Sequence, residues 1–117
     1  MSWSAFRTFT DPDAYYAAIR GTQADGVVTK RGNFRADLTT IALDRVSLQH
    51  ARETLPRTAN SVIDPRQFVI CFPTDPRPQV FHNGLELVPD AIAVFRAASE
   101  GHNRFVSASG WVRRSAA

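Results

Sequence analysis

The stretch DLTTIALDRVSLQHARETLPR, Asp37 to Arg57, decides the fold. Two alternating runs flank the polar break Leu43-Asp44-Arg45. In the first, Phe34, Ala36, Leu38, Thr40 and Ala42 share one face, while Arg35, Asp37, Thr39, Ile41 and Leu43 share the other. In the second, Val46, Leu48, His50 and Arg52 fall on a common face. A period of two marks a half-buried strand, and a short polar break between two such runs suits a tight antiparallel connection. The stretch reads as a hairpin. Turned inward, the Val46 and Leu48 face carries His50 and Arg52 into an apolar interior. A buried Arg without a partner is unfavourable, so Arg52 would there demand an acid or an anionic ligand. The plainer alternative sets Arg52 at the rim, paired with Glu53 or with Asp37 of the neighbouring strand.

Upstream, TDPDAYYAAIRG reads as a short helix and as the first element of the chain. Thr10 or Asp11 is its N-cap, Pro12 its first helical residue, Arg20 stands in its last turn and Gly21 just beyond. GVVTKRG reads as a strand. Downstream, RTANSVI is a short strand, and the apolar run RQFVICF has the pattern of a strand buried on both faces. PTDPRP is a loop. QVFHNGLEL is a hairpin, because Asn83-Gly84 favours a type I′ turn. AIAVFRA, EGHNRFVSA and GWVRRSAA complete the strands, with Gly110 as a turn between the last two. One helix followed by many short strands points to a sandwich or barrel.

Composition bounds the function. The chain has 117 residues, a length that fits one domain, and 44% of them are apolar, which argues against disorder. No apolar run approaches the roughly 20 residues of a membrane helix, and the N-terminus lacks the layout of a signal peptide. The expected compartment is the cytoplasm, with no membrane partner. The charge is +3, but the arginines are scattered, with only Arg113 and Arg114 adjacent. A nucleic-acid binder shows a basic stripe on a recognisable motif, so no direct nucleic-acid contact is expected. Cys71, the single cysteine, sits in an apolar run and reads as a small buried hydrophobe. No nucleophile elbow, paired carboxylates or phosphate loop is present, so no catalytic residue is assigned and no cofactor is implied. His50, His82 and His102 stand on separate segments without metal-ligand spacing, and no metal site is assigned. His82, beside a turn, is expected to be exposed, and His102 to lie in a loop entering a strand.

The segments FTDPDAYYAAIRG, GNFRADLTTIALDRVSLQHARETLPR and VFHNGLELVPDAIAVF resemble the N-terminal sensor domain of AraC-family transcriptional regulators, over roughly Phe9 to Trp111. The resemblance implies a mainly β, cupin-like double-stranded β-helix barrel with a short N-terminal α-helix. It also implies a small-molecule ligand or a dimerisation role. The tandem helix-turn-helix motifs of those regulators have no counterpart in this sequence, so residues 1–117 are expected to form a single sensor or dimerisation domain without its own DNA-binding module. The family supplies no universal ligand residues. Arg35, His50 and Arg52 are ligand-binding candidates from their strand positions alone. Two further readings stand beside this one. A metal-dependent cupin-type enzyme requires at least two of His50, His82 and His102 to converge. A stand-alone interaction protein would pair through exposed strand edges, and a homodimer is expected.

Overall fold

The computed structural model describes residues 2–74, 80–88, 92–106 and 109–116. Strands β1 (Trp3–Phe9), β3 (Ala36–Ala42), β4 (Val46–Glu53), β6 (Phe68–Pro73), β9 (Ala93–Phe95) and β11 (Ser109–Ala116) form one antiparallel sheet, in the order β1-β3-β4-β11-β6-β9. Strands β2 (Thr22–Val28), β5 (Arg57–Ile63), β7 (Val80–His82), β8 (Leu85–Leu87) and β10 (Glu100–Phe105) form the other, in the order β2-β5-β10-β7-β8. From β4 onward the chain crosses between the sheets so that β4-β11-β6-β9 faces β5-β10-β7-β8. That pairing is the two-Greek-key jelly roll shared by cupin barrels. The expected cupin-like architecture therefore follows from strand order, with β1, β3 and β2 as extensions of the two sheets.

The hairpin forms as its pattern requires. Leu43 N–H donates to Val46 O at 2.8 Å, and the register sets Leu38 against Ala51 and Ala36 against Glu53. The Asn83-Gly84 turn joins β7 to β8 with φ of 50° and 84°, the left-handed pair a type I′ turn needs.

Five expectations change. A strand, β1, precedes the helix and pairs with β3 along its whole length, from Trp3 against Ala42 to Phe9 against Ala36. The helix α1 (Pro12–Ala17) is capped by Asp11, whose carboxylate accepts from Asp13 N–H at 3.1 Å, but it stops short of Arg20. Buried Gln49 on β4 accepts from Arg20 N–H at 2.9 Å and donates to Ala18 O at 3.0 Å, satisfying the groups another helical turn would have used. β2 begins at Thr22 and ends at Val28, so Lys30 and Arg31 lie outside it. β6 is covered on one face only: Val69 is fully buried while Phe68 and Phe72 are exposed, because among the described residues no layer covers the outside of the large sheet. Gly110 lies within β11 rather than in a turn. Most of the PTDPRP loop is outside the described residues.

The densest core sits where α1 closes the gap between the sheets. Phe9, Tyr15, Tyr16, Ile19, Phe34, Leu38 and Trp111 pack there, with Tyr15 centred 5.8 Å from Phe9 and 5.9 Å from Phe34 in tilted ring contacts. Gly26 lets β2 approach this cluster. A Cβ there would collide with the Thr58 carbonyl oxygen and press on the Tyr16 ring at 3.2 Å. At Gly84, by contrast, the space around a Cβ is open and only the positive φ objects. Gly84→Ala should therefore cost about 1–2 kcal/mol, and Gly26→Ala about 2–3 kcal/mol through overpacking. Urea unfolding midpoints at unchanged slope are the measurement, and a larger loss at Gly84 would contradict this account.

Candidate functional site

The inner face of β4 carries Ser47, Gln49, Ala51 and Glu53, all buried, while Leu48, His50 and Arg52 point out. The inward reading of His50 and Arg52 is thus reversed. The reason is register. Residues opposed across an antiparallel pair share a face, and β3 buries Ala36, Leu38, Thr40 and Ala42, whose partners are Glu53, Ala51, Gln49 and Ser47. His50 stands opposite Thr39 and Val112, and Arg52 opposite Asp37. Arg35 is exposed, and its Nε donates to Asp37 Oδ1 at 3.1 Å. Thr8 donates to the same oxygen at 2.8 Å, and these two hydrogen bonds, Thr8 first, hold the Asp37 carboxyl below its ordinary value. Arg35, His50 and Arg52 therefore share the outer side of the large sheet, away from the barrel interior.

The three histidines also part company. His50 is on that outer surface. His82 is half-buried on the inner face of β7, its Nδ1 2.6 Å from Asn103 Oδ1 and its ring 4.6 Å from the Phe95 ring. His102 is inside β10 and exposed, with Nδ1 2.8 Å from Asn60 Oδ1. Among the described residues no group of three or more His, Cys, Asp or Glu side chains is placed to hold a metal ion.

Buried polar chemistry gathers between the sheets instead. Glu53 ends β4 and Arg57 begins β5, so the pair spans the corner where the chain crosses from one sheet to the other. The Glu53 carboxylate accepts from Arg57 Nε and, at 3.0 Å, from Arg57 Nη2. It also accepts from Tyr15 Oη at 2.6 Å and Trp111 Nε1 at 2.7 Å. The Arg57 guanidinium lies 4.0 Å from the Phe105 ring centre and 5.2 Å from that of Tyr16, both within cation–π range. Burial works against its charge, yet the Glu53 carboxylate holds the Arg57 pKa above its ordinary value. Burial, and then the Glu53 charge, push the Tyr15 phenol well up. Burial likewise raises Tyr16 and Cys71.

Beside this cluster is a cavity of about 80 Å³ inside the barrel. Ile63, Val80, Leu87 and Phe95 make much of its wall, and Arg57, Arg113, Ser61 and Asn103 give it polar points. Apolar walls with a few convergent polar groups are the usual make-up of a small-ligand site, and this volume suffices for several waters or one small molecule. A larger hollow of about 570 Å³, bordered by Gln23, Asp25, Asn60, Glu100 and His102, opens on the outside of the small sheet. Its His102 and Asn60 are already bonded to each other. Sequence reading missed Glu53, Arg57 and Arg113 as interior residues, although counting register across the Leu43-Asp44-Arg45 turn would have turned Glu53 inward.

Comparison with known proteins adds little to this geometry. No family model matches the chain, and no curated protein matches it. Among solved structures it is similar to KdgF from Halomonas sp., at 13% identity and a TM-score of 0.48, over 79% of this chain and 84% of that one. No helix among the described residues is long and apolar enough to cross a membrane.

Glu53→Ala leaves Arg57 buried without its acid and should cost about 3–5 kcal/mol, while the double change Glu53→Met with Arg57→Met should cost clearly less. Chemical denaturation of the three proteins measures both, and equal losses would mean that Arg57 left without its acid carries no penalty. The raised Tyr15, Tyr16 and Cys71 groups predict an alkaline limit. Their ordinary values are 10.0 for tyrosine and 9.0 for cysteine, so above these the unfolded chain releases protons that the folded chain retains. Stability is unaffected below this range and falls as pH climbs through it toward the raised folded values. Unfolding midpoints at about pH 8 and about pH 10.5 should differ, and Tyr15→Phe should flatten the slope between them.

Proposed function

We propose that this chain is a small-molecule-sensing module of the kind found at the N-terminus of AraC-type regulators. The observation that carries the reading is the cavity between the sheets, with its apolar wall and inward polar groups. The segments behind the resemblance support it. TDPDAYYA forms the capped helix, FRADLTTIAL contains β3, and LQHARETLPR runs through the buried Glu53–Arg57 corner. Sensing requires a ligand to prefer one of two arrangements. Arg57 and Trp111 line the cavity and also bond Glu53, which bonds Tyr15 of α1. Occupancy of the lumen is thereby linked to the seating of the helix. A binding compound should raise the melting temperature, by the equivalent of about 2.7 kcal/mol at a hundredfold excess over Kd. Ala59→Leu, which fills the lumen from β5, should abolish the response. A ligand whose effect survives Ala59→Leu binds elsewhere, and the sensor reading of this cavity then fails.

A second role, dimerisation, is favoured by the outer side of the large sheet. Register aligns Ile41, Leu48, Arg114, Ile70 and Val94 in one row across five strands, and all but Arg114 are apolar. Ile41, Leu48 and Val94 are exposed, as are nearby Phe68 and Phe72. Exposed apolar side chains grouped around Arg114 in this way mark an interaction surface, and the occupant proposed is a second copy of this chain, sheet against sheet. Light scattering at about 10–100 µM should return a dimer, and Leu48→Glu should weaken association by at least about tenfold, or 1.4 kcal/mol. A wild-type monomer throughout that range would rule the dimer out.

A further inference from the structure

The interior holds two arginines in contrasting circumstances. Arg57 is matched by Glu53. Arg113, on the inner face of β11, lines the same cavity. Its Nη2 donates to Thr22 Oγ1, and its guanidinium stands 5.8 Å from the Trp111 ring centre. Its Nε is fully buried and has no hydrogen-bond partner. Of the buried side-chain atoms without a partner among the described residues, the others are Tyr16 Oη and Ser47 Oγ, neither of which lines the lumen.

Arg113 has no acid among the described residues. Glu53 already accepts four hydrogen bonds, two from Arg57 and one each from Tyr15 and Trp111, which occupies both its oxygens. Cys71 faces Arg113 in the β6–β11 register, but burial raises its pKa and keeps the thiol neutral. The two buried tyrosines are raised in the same way and are neutral too. Between the sheets, the described residues therefore set one carboxylate, Glu53, against the two guanidiniums that line the lumen, an excess of one positive charge. The consequence is visible in the arginines themselves: Arg57 is held above its ordinary pKa by its acid, whereas burial pushes Arg113 below its own. Arg113 as a whole is half-buried, and a cation drawn partly out of water without a counter-charge favours an anion beside it.

We propose that the lumen binds a small carboxylate and that Arg113 is the residue that pairs with it. The proposal rests on the reading of the lumen as the ligand site and names the chemical class of the ligand. Guanidinium matches carboxylate in planar, two-pronged geometry, and the Arg113 guanidinium spends one hydrogen bond on the protein, from Nη2 to Thr22. A cavity of about 80 Å³ limits the ligand to a short acid of about three or four carbons. Its chain would lie against Ile63, Val80 and Phe95, and a hydroxyl on it would find Ser61 and Asn103. Asn103 Nδ2 reaches Ser61 Oγ only at 3.4 Å, so its donor is weakly engaged.

Calorimetric titration and thermal melting with propionate, butyrate and lactate, each against its neutral amide, test the proposal. The acids should bind the wild-type protein and raise its melting temperature, and the amides should bind at least about tenfold more weakly. Arg113→Met should lose at least about tenfold in affinity for the acids. The same variant should melt no lower than the unliganded wild type, since it removes an unmatched buried charge. Arg113→Lys, which keeps the charge and loses the fork, should fall between the two and serves if the Met variant does not fold. Absence of acid binding, or acid affinity unchanged in either variant, overturns the proposal. Equal binding of acids and amides that Ala59→Leu abolishes also overturns it, while leaving the lumen as the ligand site. Binding of either class that survives Ala59→Leu overturns both.

Discussion

The Glu53 carboxylate is the point on which the two sheets and the helix agree. It ends β4 in the large sheet, bonds Arg57 at the start of β5 in the small one, and accepts from Tyr15 of α1 and Trp111 of β11. Four elements thus converge on two oxygens. A buried carboxylate tolerates its desolvation only when its lone pairs are filled by donors and its charge is opposed. Both conditions hold here, and each donor is fixed by its own packing: Tyr15 within the Phe9 and Phe34 rings, Arg57 over Phe105. Gln49, two residues nearer the turn on the same inner face than Ala51, holds the end of the helix through Ala18 O and Arg20 N–H. A six-residue helix would not persist in isolation. This one is seated by two side chains of a single strand.

Pinning one end of the barrel leaves the other end free to be hollow. The aromatic core lies beside α1, where both sheets are extended by β1, β3 and β2. The opposite end is built from the three-residue strands β7, β8 and β9, which contribute Val80, Leu87 and Phe95 to the cavity wall. Short strands bring fewer side chains inward, and a small barrel whose interior is not filled by them has room for one small ligand. The division of labour is physical: stability is concentrated at the Glu53 corner, and space is left beside it.

Much of this architecture was legible in the sequence. The inward face of β3, the Leu43-Asp44-Arg45 connection, the Asn83-Gly84 turn and the Asp11 cap all obey local rules of alternation, turn chemistry and capping. The interior of β4 is not legible by the same rules, because local hydrophobicity has the wrong sign there. Val46 and Leu48 are more apolar than Ser47 and Gln49, yet the latter are buried. Gln49 meets its partners, Thr40 and the helix end, only through tertiary contacts with residues far away in sequence. The apolar side of β4 faces out because the described residues place no second layer on that side of the large sheet, which is also why Phe68 and Phe72 on β6 are exposed. β1 escaped notice for a related reason. It is an edge strand, most of its residues are exposed, and Arg7 interrupts its apolar face by lying over Phe9 at 4.6 Å.

The candidate site teaches the same lesson through parity. Arg35, His50 and Arg52 drew attention because they interrupt alternating runs, but each belongs to the outward set of its segment. Arg113 and Arg114 are adjacent near the end of the sequence. Successive side chains of a strand point to opposite faces, so once GWVRRSAA is a strand, one of the two must enter the barrel. Trp111 settles which. Its indole bonds Glu53 inside, and Arg113, two residues on, shares that face, while Arg114 joins the outer row between Leu48 and Ile70. A basic dipeptide in a strand is thus divided by geometry between solvent and core. The member sent inward is half-buried, and the described interior offers it hydroxyl and ring partners, Thr22 and Trp111, in place of an acid.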